Sequence, residues 1–211
     1  MTKAIIFDFD GVLVLSEVPR FQVIQKVAAA NGIKIADEVI KKMMGKTTIR
    51  FLNEVLSKSE TPYLDKIVEE FEKEYKGNLT KYVRPIDITV NFVKKYQGPL
   101  TFALASMSTR KVIEELANHF GIYKKFKTII SREDITQHKP HPEIYLQAVK
   151  KLQIDQSECM AIEDSIVGVQ SALNANISCY VFLNGFNSKE EFHGIPIAGF
   201  ISTEKDLEKL S

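Results

Sequence analysis

Five short apolar runs punctuate the chain: KAIIFDF (3–9), PLTFALAS (99–106), FKTIIS (126–131), CMAIEDS (159–165) and SCYVFLN (178–184). Their apolar residues come in succession rather than in alternation, which predicts strands covered on both faces. Between the last four lie segments of about one helix each, RKVIEELANHFG, HPEIYLQAVKKLQI and IVGVQSALNAN. Strand and helix in regular alternation imply a parallel, doubly wound α/β sheet of Rossmann-like form. The interval after the first run is different. Residues 17 to about 80 hold helical patterns, FQVIQKVAAANG, DEVIKKMMG and PYLDKIVEEFEKEYKGN, two of which close on glycine, and no convincing strand. The expected organisation is a core of residues 1–15 and 82–211 with a small all-helical domain, 16–81, inserted after the first strand and standing over the C-terminal edge of the sheet.

Composition narrows the function classes without choosing one. The chain has 211 residues, 45% apolar and 26% charged, enough for one large domain or a domain with an insert. Its 28 Lys and Arg against 27 Asp and Glu leave a formal charge of +1, which points to neither nucleic acid nor a membrane surface. A small, locally recognised substrate and a monomer are expected. Cys159 and Cys179 lie in or beside apolar runs and read as buried thiols suited to a reducing cytoplasm. The apolar run near the N-terminus is too short for a signal peptide, and none approaches the length of a membrane span.

The polar residues that interrupt the runs all fall at their C-terminal ends, where open α/β sheets gather binding residues. They are Asp8 and Asp10 in IIFDFDG, Ser106, Lys139 in the loop QHKPHP, and Glu163 and Asp164. Singly, an acid there caps a helix and a serine makes a turn. Together they suit phosphoryl transfer. Asp8 and Asp10, two apart, point the same way if both are in a strand, so one can attack while the other handles a proton. Gly11 permits a sharp turn and a close backbone approach to an anion. Converging carboxylates need a hard cation such as Mg²⁺, with Glu163 and Asp164 completing its site. Lys139 balances phosphate charge, and Ser106 with the amides after it donates hydrogen bonds to phosphoryl oxygens.

The stretches FDFDGVLVLSE, ALASMSTR, QHKPHPEIY and AIEDSIVGVQSA resemble, in order, the four motifs of the haloacid dehalogenase-like (HAD) superfamily, most closely its β-phosphoglucomutase-like phosphatase branch. The resemblance implies an Asp8 nucleophile that forms an aspartyl-phosphate, and Asp10 as general acid and then base. It implies Ser106 and Lys139 as phosphate holders, and Mg²⁺ bound by Asp8, the Asp10 carbonyl and the Glu163–Asp164 pair. The insert would be a cap that closes over the site, with Arg20, Lys46 and Arg50 as candidate substrate contacts. Two positions depart from the pattern. Leu15-Ser16 stands where many relatives have Asp-Ser, and Arg20 stands where true β-phosphoglucomutases carry a cap histidine.

Other motifs carry less. MMGKTT (43–48) resembles a P-loop, but Ile40 occupies the position of its first glycine and no strand precedes it. His138 and His141 flank Pro140 without a cysteine or further histidine nearby, so solvated loop residues are expected rather than a zinc site. EEFEKEYK mixes both signs of charge as an exposed helix face does, and Met43 and Met44 read as cap core. The resulting expectation is a Mg²⁺-dependent phosphatase acting on a small phosphorylated metabolite. Phosphomutase chemistry and a non-catalytic binding protein on the same fold are the alternatives.

Overall fold

The computed structural model describes residues 2–39 and 48–210. They form two compact units, Met1–Val14 with Pro85–Ser211, and Leu15–Arg84. The chain enters through β1 (Ala4–Phe7) and the two-residue β2 (Val14–Leu15). It then builds the second unit from α1 (Glu17–Ala30), α2 (Thr48–Val55), α3 (Leu64–Lys76) and the single turn α4 (Leu79–Tyr82). It returns through β3 (Arg84–Pro85), which pairs with β2, and α5 (Asp87–Lys95). From there strand and helix alternate: β4 (Thr101–Ala105), α6 (Arg110–His119), β5 (Phe126–Ile130), α7 (Glu143–Leu152), β6 (Cys159–Glu163), α8 (Ile166–Asn174) and β7 (Ser178–Phe182). A short β8 (Gly199–Ile201) and α9 (Glu204–Glu208) complete it.

The six-stranded sheet runs β5-β4-β1-β6-β7-β8 with every pairing parallel, as the apolar runs predict for a doubly wound α/β core. All four residues of β1 and all five of β6 are buried, because helices cover both faces. The ends of the central strands are level: Phe7 lies beside Leu104 on one side and Ile162 on the other. From β1 the next sheet strand lies toward β4, and from β6 it lies toward β7, so the winding reverses between β1 and β6. That is where an open sheet leaves a crevice beyond its strand ends. β8 is an addition to the expected five strands. Cys159 and Cys179 are both buried and unbridged, and burial holds the Cys159 thiol up at about 11. No helix among the described residues is long and apolar enough to cross a membrane.

Between Ser16 and Val83 the described residues of the second unit form helices joined by turns and loops. Helix α1 buries Phe21, Ile24 and Ala28, and α3 buries Ile67, Phe71 and Tyr75 while its charged side forms pairs such as Lys66–Glu70 at 3.9 Å. Phe21 meets Phe51 edge-on at 6.0 Å, and Phe71 stacks on Tyr75 at 5.2 Å. Next to the departing position Leu15, the Ser16 carbonyl accepts from the Tyr75 hydroxyl at 3.1 Å. Of the expected helix DEVIKKMMG only a 3₁₀ turn, Asp37–Val39, is described. Met43, Met44 and Lys46 lie outside the described residues.

Candidate active site

Strand β1 ends at Phe7, one residue before Asp8, and Asp8 itself stays tied to the sheet through its N–H, which donates to the Ile162 carbonyl at 2.9 Å. Asp8 and Asp10 therefore do not share one strand, since β1 stops before both. Past Phe7 the backbone turns, with Gly11 at φ +80°, and the two carboxylates take different partners. Asp8 Oδ1 accepts from Lys139 Nζ at 2.6 Å. Asp10 Oδ2 accepts from Ser108 Oγ at 2.6 Å and, longer, from Ser106 Oγ at 3.4 Å. Ser106, directly after β4, also accepts the Ser108 N–H at 3.0 Å.

Lys139 reaches in from the loop before α7. Its ammonium is shared among Asp8, Glu163 Oε1 at 2.6 Å and the Ala105 carbonyl at 3.1 Å, so it ties the ends of β1, β4 and β6 together. Glu163, the last residue of β6, is 1% exposed. Its Oε1 also accepts from the Tyr145 hydroxyl at 2.7 Å, and its Oε2 accepts the Asp164 N–H at 3.2 Å. A Cβ on Gly168 would run into this carboxylate. Asp164 is held from the other side: Asn184 Nδ2 bridges its Oδ2 (2.8 Å) and the Gly11 carbonyl (3.1 Å), while Asn187 Nδ2 donates to its backbone carbonyl at 2.7 Å. A Cβ at Gly11 would collide with the Asp164 carboxylate, so glycine is required there by both φ and space.

Of the residues singled out in the sequence, Asp8, Asp10, Ser106, Lys139, Glu163 and Asp164 come together at this edge. Arg20 and Arg50 lie in the second unit, paired with Glu17 at 3.2 Å and Glu54 at 3.6 Å. His141 takes a structural part, its Nδ1 accepting the Glu143 amide at the start of α7. Tyr145, Ser108, Asn184 and Asn187 were not legible as site residues. Tyr145 looks like one more core aromatic on a helix, and the other three look like turn residues.

Asp8, Glu163 and Asp164 each present a carboxylate oxygen within 4.8 Å of the others. One ammonium cannot balance two buried carboxylates and a third that is half-buried. Burial, then Glu163, pushes the Asp164 carboxyl up to about 8. Burial likewise drives Asp8 well above the carboxylate range, although Lys139 opposes it, with Glu163 and Asp164 adding to the rise. Burial opposes the charge on Lys139, but Asp8 and Glu163 outweigh it and keep that ammonium protonated. The donor set is all carboxylate oxygen and short of positive charge, which fits a hard divalent cation such as Mg²⁺.

A pH dependence follows for the metal-free protein. Between the ordinary Asp value of 3.8 and about 8, the folded chain keeps a proton on Asp164 that the unfolded chain has lost. Stability therefore falls as pH rises through that window. Scanning calorimetry in EDTA should show Tm dropping from pH 5 to 8, with Mg²⁺ raising Tm more at pH 8 than at pH 6 because less proton has to be displaced. Asp164→Asn should flatten the EDTA slope. A Tm that climbs with pH in EDTA, or an unaltered slope in the variant, would contradict the assignment.

The comparisons with known proteins agree with this architecture. The family model for haloacid dehalogenase-like hydrolase matches residues 5–182. A candidate phosphatase of Bacillus subtilis, YhcW, is 30% identical over 193 residues, covering 87% of this chain and 84% of its own. The phosphorylated carbohydrates phosphatase of Thermotoga maritima is 28% identical over 179 residues, 83% of this chain and 82% of its own. Among solved structures, a candidate β-phosphoglucomutase from Thermotoga maritima superposes with a TM-score of 0.81 at 23% identity, covering 99% of this chain and 98% of that one, a likeness of fold. With the motifs at the strand ends and the family match over most of its length, the chain belongs to the haloacid dehalogenase-like hydrolases.

Proposed function

We propose that this hydrolase is a Mg²⁺-dependent phosphatase that cleaves a small phosphomonoester, a sugar phosphate or similar metabolite, through an aspartyl-phosphate on Asp8. The observation that carries the reading is the buried Asp8 carboxylate, fixed by Lys139 and grouped with Glu163 and Asp164. The relatives named as phosphatases, one of them for phosphorylated carbohydrates, support the substrate class. Asp8 attacks phosphorus through one carboxylate oxygen, and the P–O bond to the alcohol breaks as Asp10 gives that oxygen a proton. Water then attacks the acyl phosphate, Asp10 takes the proton back, and inorganic phosphate leaves. Lys139 and Ser106 hold the phosphoryl oxygens. Asp8, the Asp10 carbonyl, Glu163 and Asp164 would hold Mg²⁺, which offsets the negative charge of the phosphate as Asp8 approaches it.

Residues 16–81 act as a cap that excludes water and selects the alcohol part of the substrate, with Arg20, Lys46 and Arg50 as contacts. The protein works as a monomer in the cytoplasm, where its two buried thiols stay reduced.

Hydrolysis is favoured over mutase chemistry by Arg20. A mutase has to protect its acyl phosphate from water until a sugar hydroxyl arrives, and a guanidinium cannot share a proton with the acid–base group as an imidazole can. With β-glucose 1-phosphate and a trace of glucose 1,6-bisphosphate, inorganic phosphate should appear faster than glucose 6-phosphate. The reverse order would establish a mutase. No product from any phosphorylated sugar or nucleotide of a broad panel would favour a binding protein.

A further inference from the structure

Tyr145 is fully buried on α7, and its two chemical faces meet the two members of one ion pair. Its hydroxyl donates to Glu163 Oε1 at 2.7 Å. Its ring centre stands 5.2 Å from Lys139 Nζ, within range of a cation–π attraction, and that ammonium donates to the same Oε1 at 2.6 Å. A side chain that only filled this volume would need no hydroxyl, since a buried phenol without a partner is costly and phenylalanine has the same shape. The other oxygen is held less closely: Oε2 takes the Asp164 N–H at 3.2 Å and the Ser165 hydroxyl at 3.5 Å, so Oε1 is the oxygen the chain fixes.

We infer that Tyr145 is a positioning residue: by fixing Glu163 and lying against Lys139, it sets where the shared ammonium holds Asp8, and so the spacing of Asp8 from Asp164. The inference rests on the reading of Asp8, Glu163 and Asp164 as a cation seat. Tyr145 touches no reacting atom and acts through Glu163 and Lys139. Without the hydroxyl, Glu163 Oε1 has only Lys139, and the ammonium moves toward Glu163 at the expense of Asp8.

The test is Tyr145→Phe, which keeps the ring and removes the donor, with Mn²⁺ as the probe and its binding followed by calorimetry in phosphate-free buffer. Losing a group that orients metal ligands typically costs about 10- to 100-fold. The variant is expected to bind Mn²⁺ about tenfold more weakly and to lose about tenfold in kcat at saturating metal, with KM and Tm little changed. A folded variant with Mn²⁺ affinity and kcat within about twofold of the parent overturns the inference. The same change in a Glu163→Gln background should shift Mn²⁺ affinity by less than about twofold, because the charged acceptor is gone. An equal loss in both backgrounds also overturns it. Should Tyr145→Phe fail to fold, Tyr145→Met, which fills the core with no donor, is measured in both backgrounds against the same criteria. Failure of the cation seat itself is seen separately, as a parent protein that binds no Mn²⁺.

Discussion

Asp8→Asn should abolish phosphate release, by about 10⁵-fold or more, the scale on which loss of a nucleophile is felt. The amide has the shape of the carboxylate but is a poor nucleophile and a poor ligand for a hard cation. The protein should still fold. Asp8 is one of three crowded carboxylates whose burial already pushes its carboxyl upward, so making it neutral removes repulsion rather than support, and Lys139 keeps Glu163 as its partner. Phosphate release measured with the best substrate, beside a melting curve, decides the matter. Turnover by the folded Asn variant near the parent's, or undiminished turnover of the parent in excess EDTA, would sink the covalent mechanism.

Asp10→Asn should slow turnover by about 10²- to 10⁴-fold, the usual worth of a general acid–base group, while leaving divalent-cation binding close to that of the parent. Its carboxylate stands apart from the trio of Asp8, Glu163 and Asp164 and accepts from Ser108 and Ser106 instead. An asparagine oxygen can still accept from Ser108, so the turn after β1 should persist. The two variants are best compared directly by calorimetric titration with Mn²⁺. If Asp10→Asn weakens the cation as much as Asp8→Asn does, the division of labour between the two aspartates is wrong.

Much of this site is legible in the amino-acid sequence because of where the charged residues stand. A strand buried on both faces leaves no place for a carboxylate or ammonium except its end, so Asp8 and Glu163 mark strand ends, and Ser106 follows one. What escapes a reading of the sequence is of two kinds. β8 has three residues, Gly199, Phe200 and Ile201, of which only Ile201 is buried, and the apolar stretch IPIAGFI (195–201) that holds it is broken by proline and glycine. Tyr145, Ser108, Asn184 and Asn187 act through hydrogen bonds across long sequence distances, such as Tyr145 to Glu163 and Asn184 to Asp164, and the helical or turn setting of each residue is ordinary. Asp8 and Asp10 do not share a strand because β1 stops at Phe7, two residues before the end of the run KAIIFDF.

The level ends of β1, β4 and β6 also bear on how the sheet chooses its alignment. Ala4–Phe7 are buried on both faces, so sliding β1 by one residue would exchange one apolar side chain for another and meet little resistance from the core. The resistance comes from the ends. A slip in one direction would draw Asp8 between Leu104 and Ile162, leaving a carboxylate stranded among hydrocarbon and Lys139 without one of its two anions. A slip in the other would part Lys3, whose carbonyl accepts the Thr101 N–H and whose ammonium pairs with Glu158 at 2.7 Å. The polar residues at the two ends of β1 therefore serve as stops that hold an otherwise featureless strand in place, and part of the information that assembles the central sheet is written in its candidate catalytic residues.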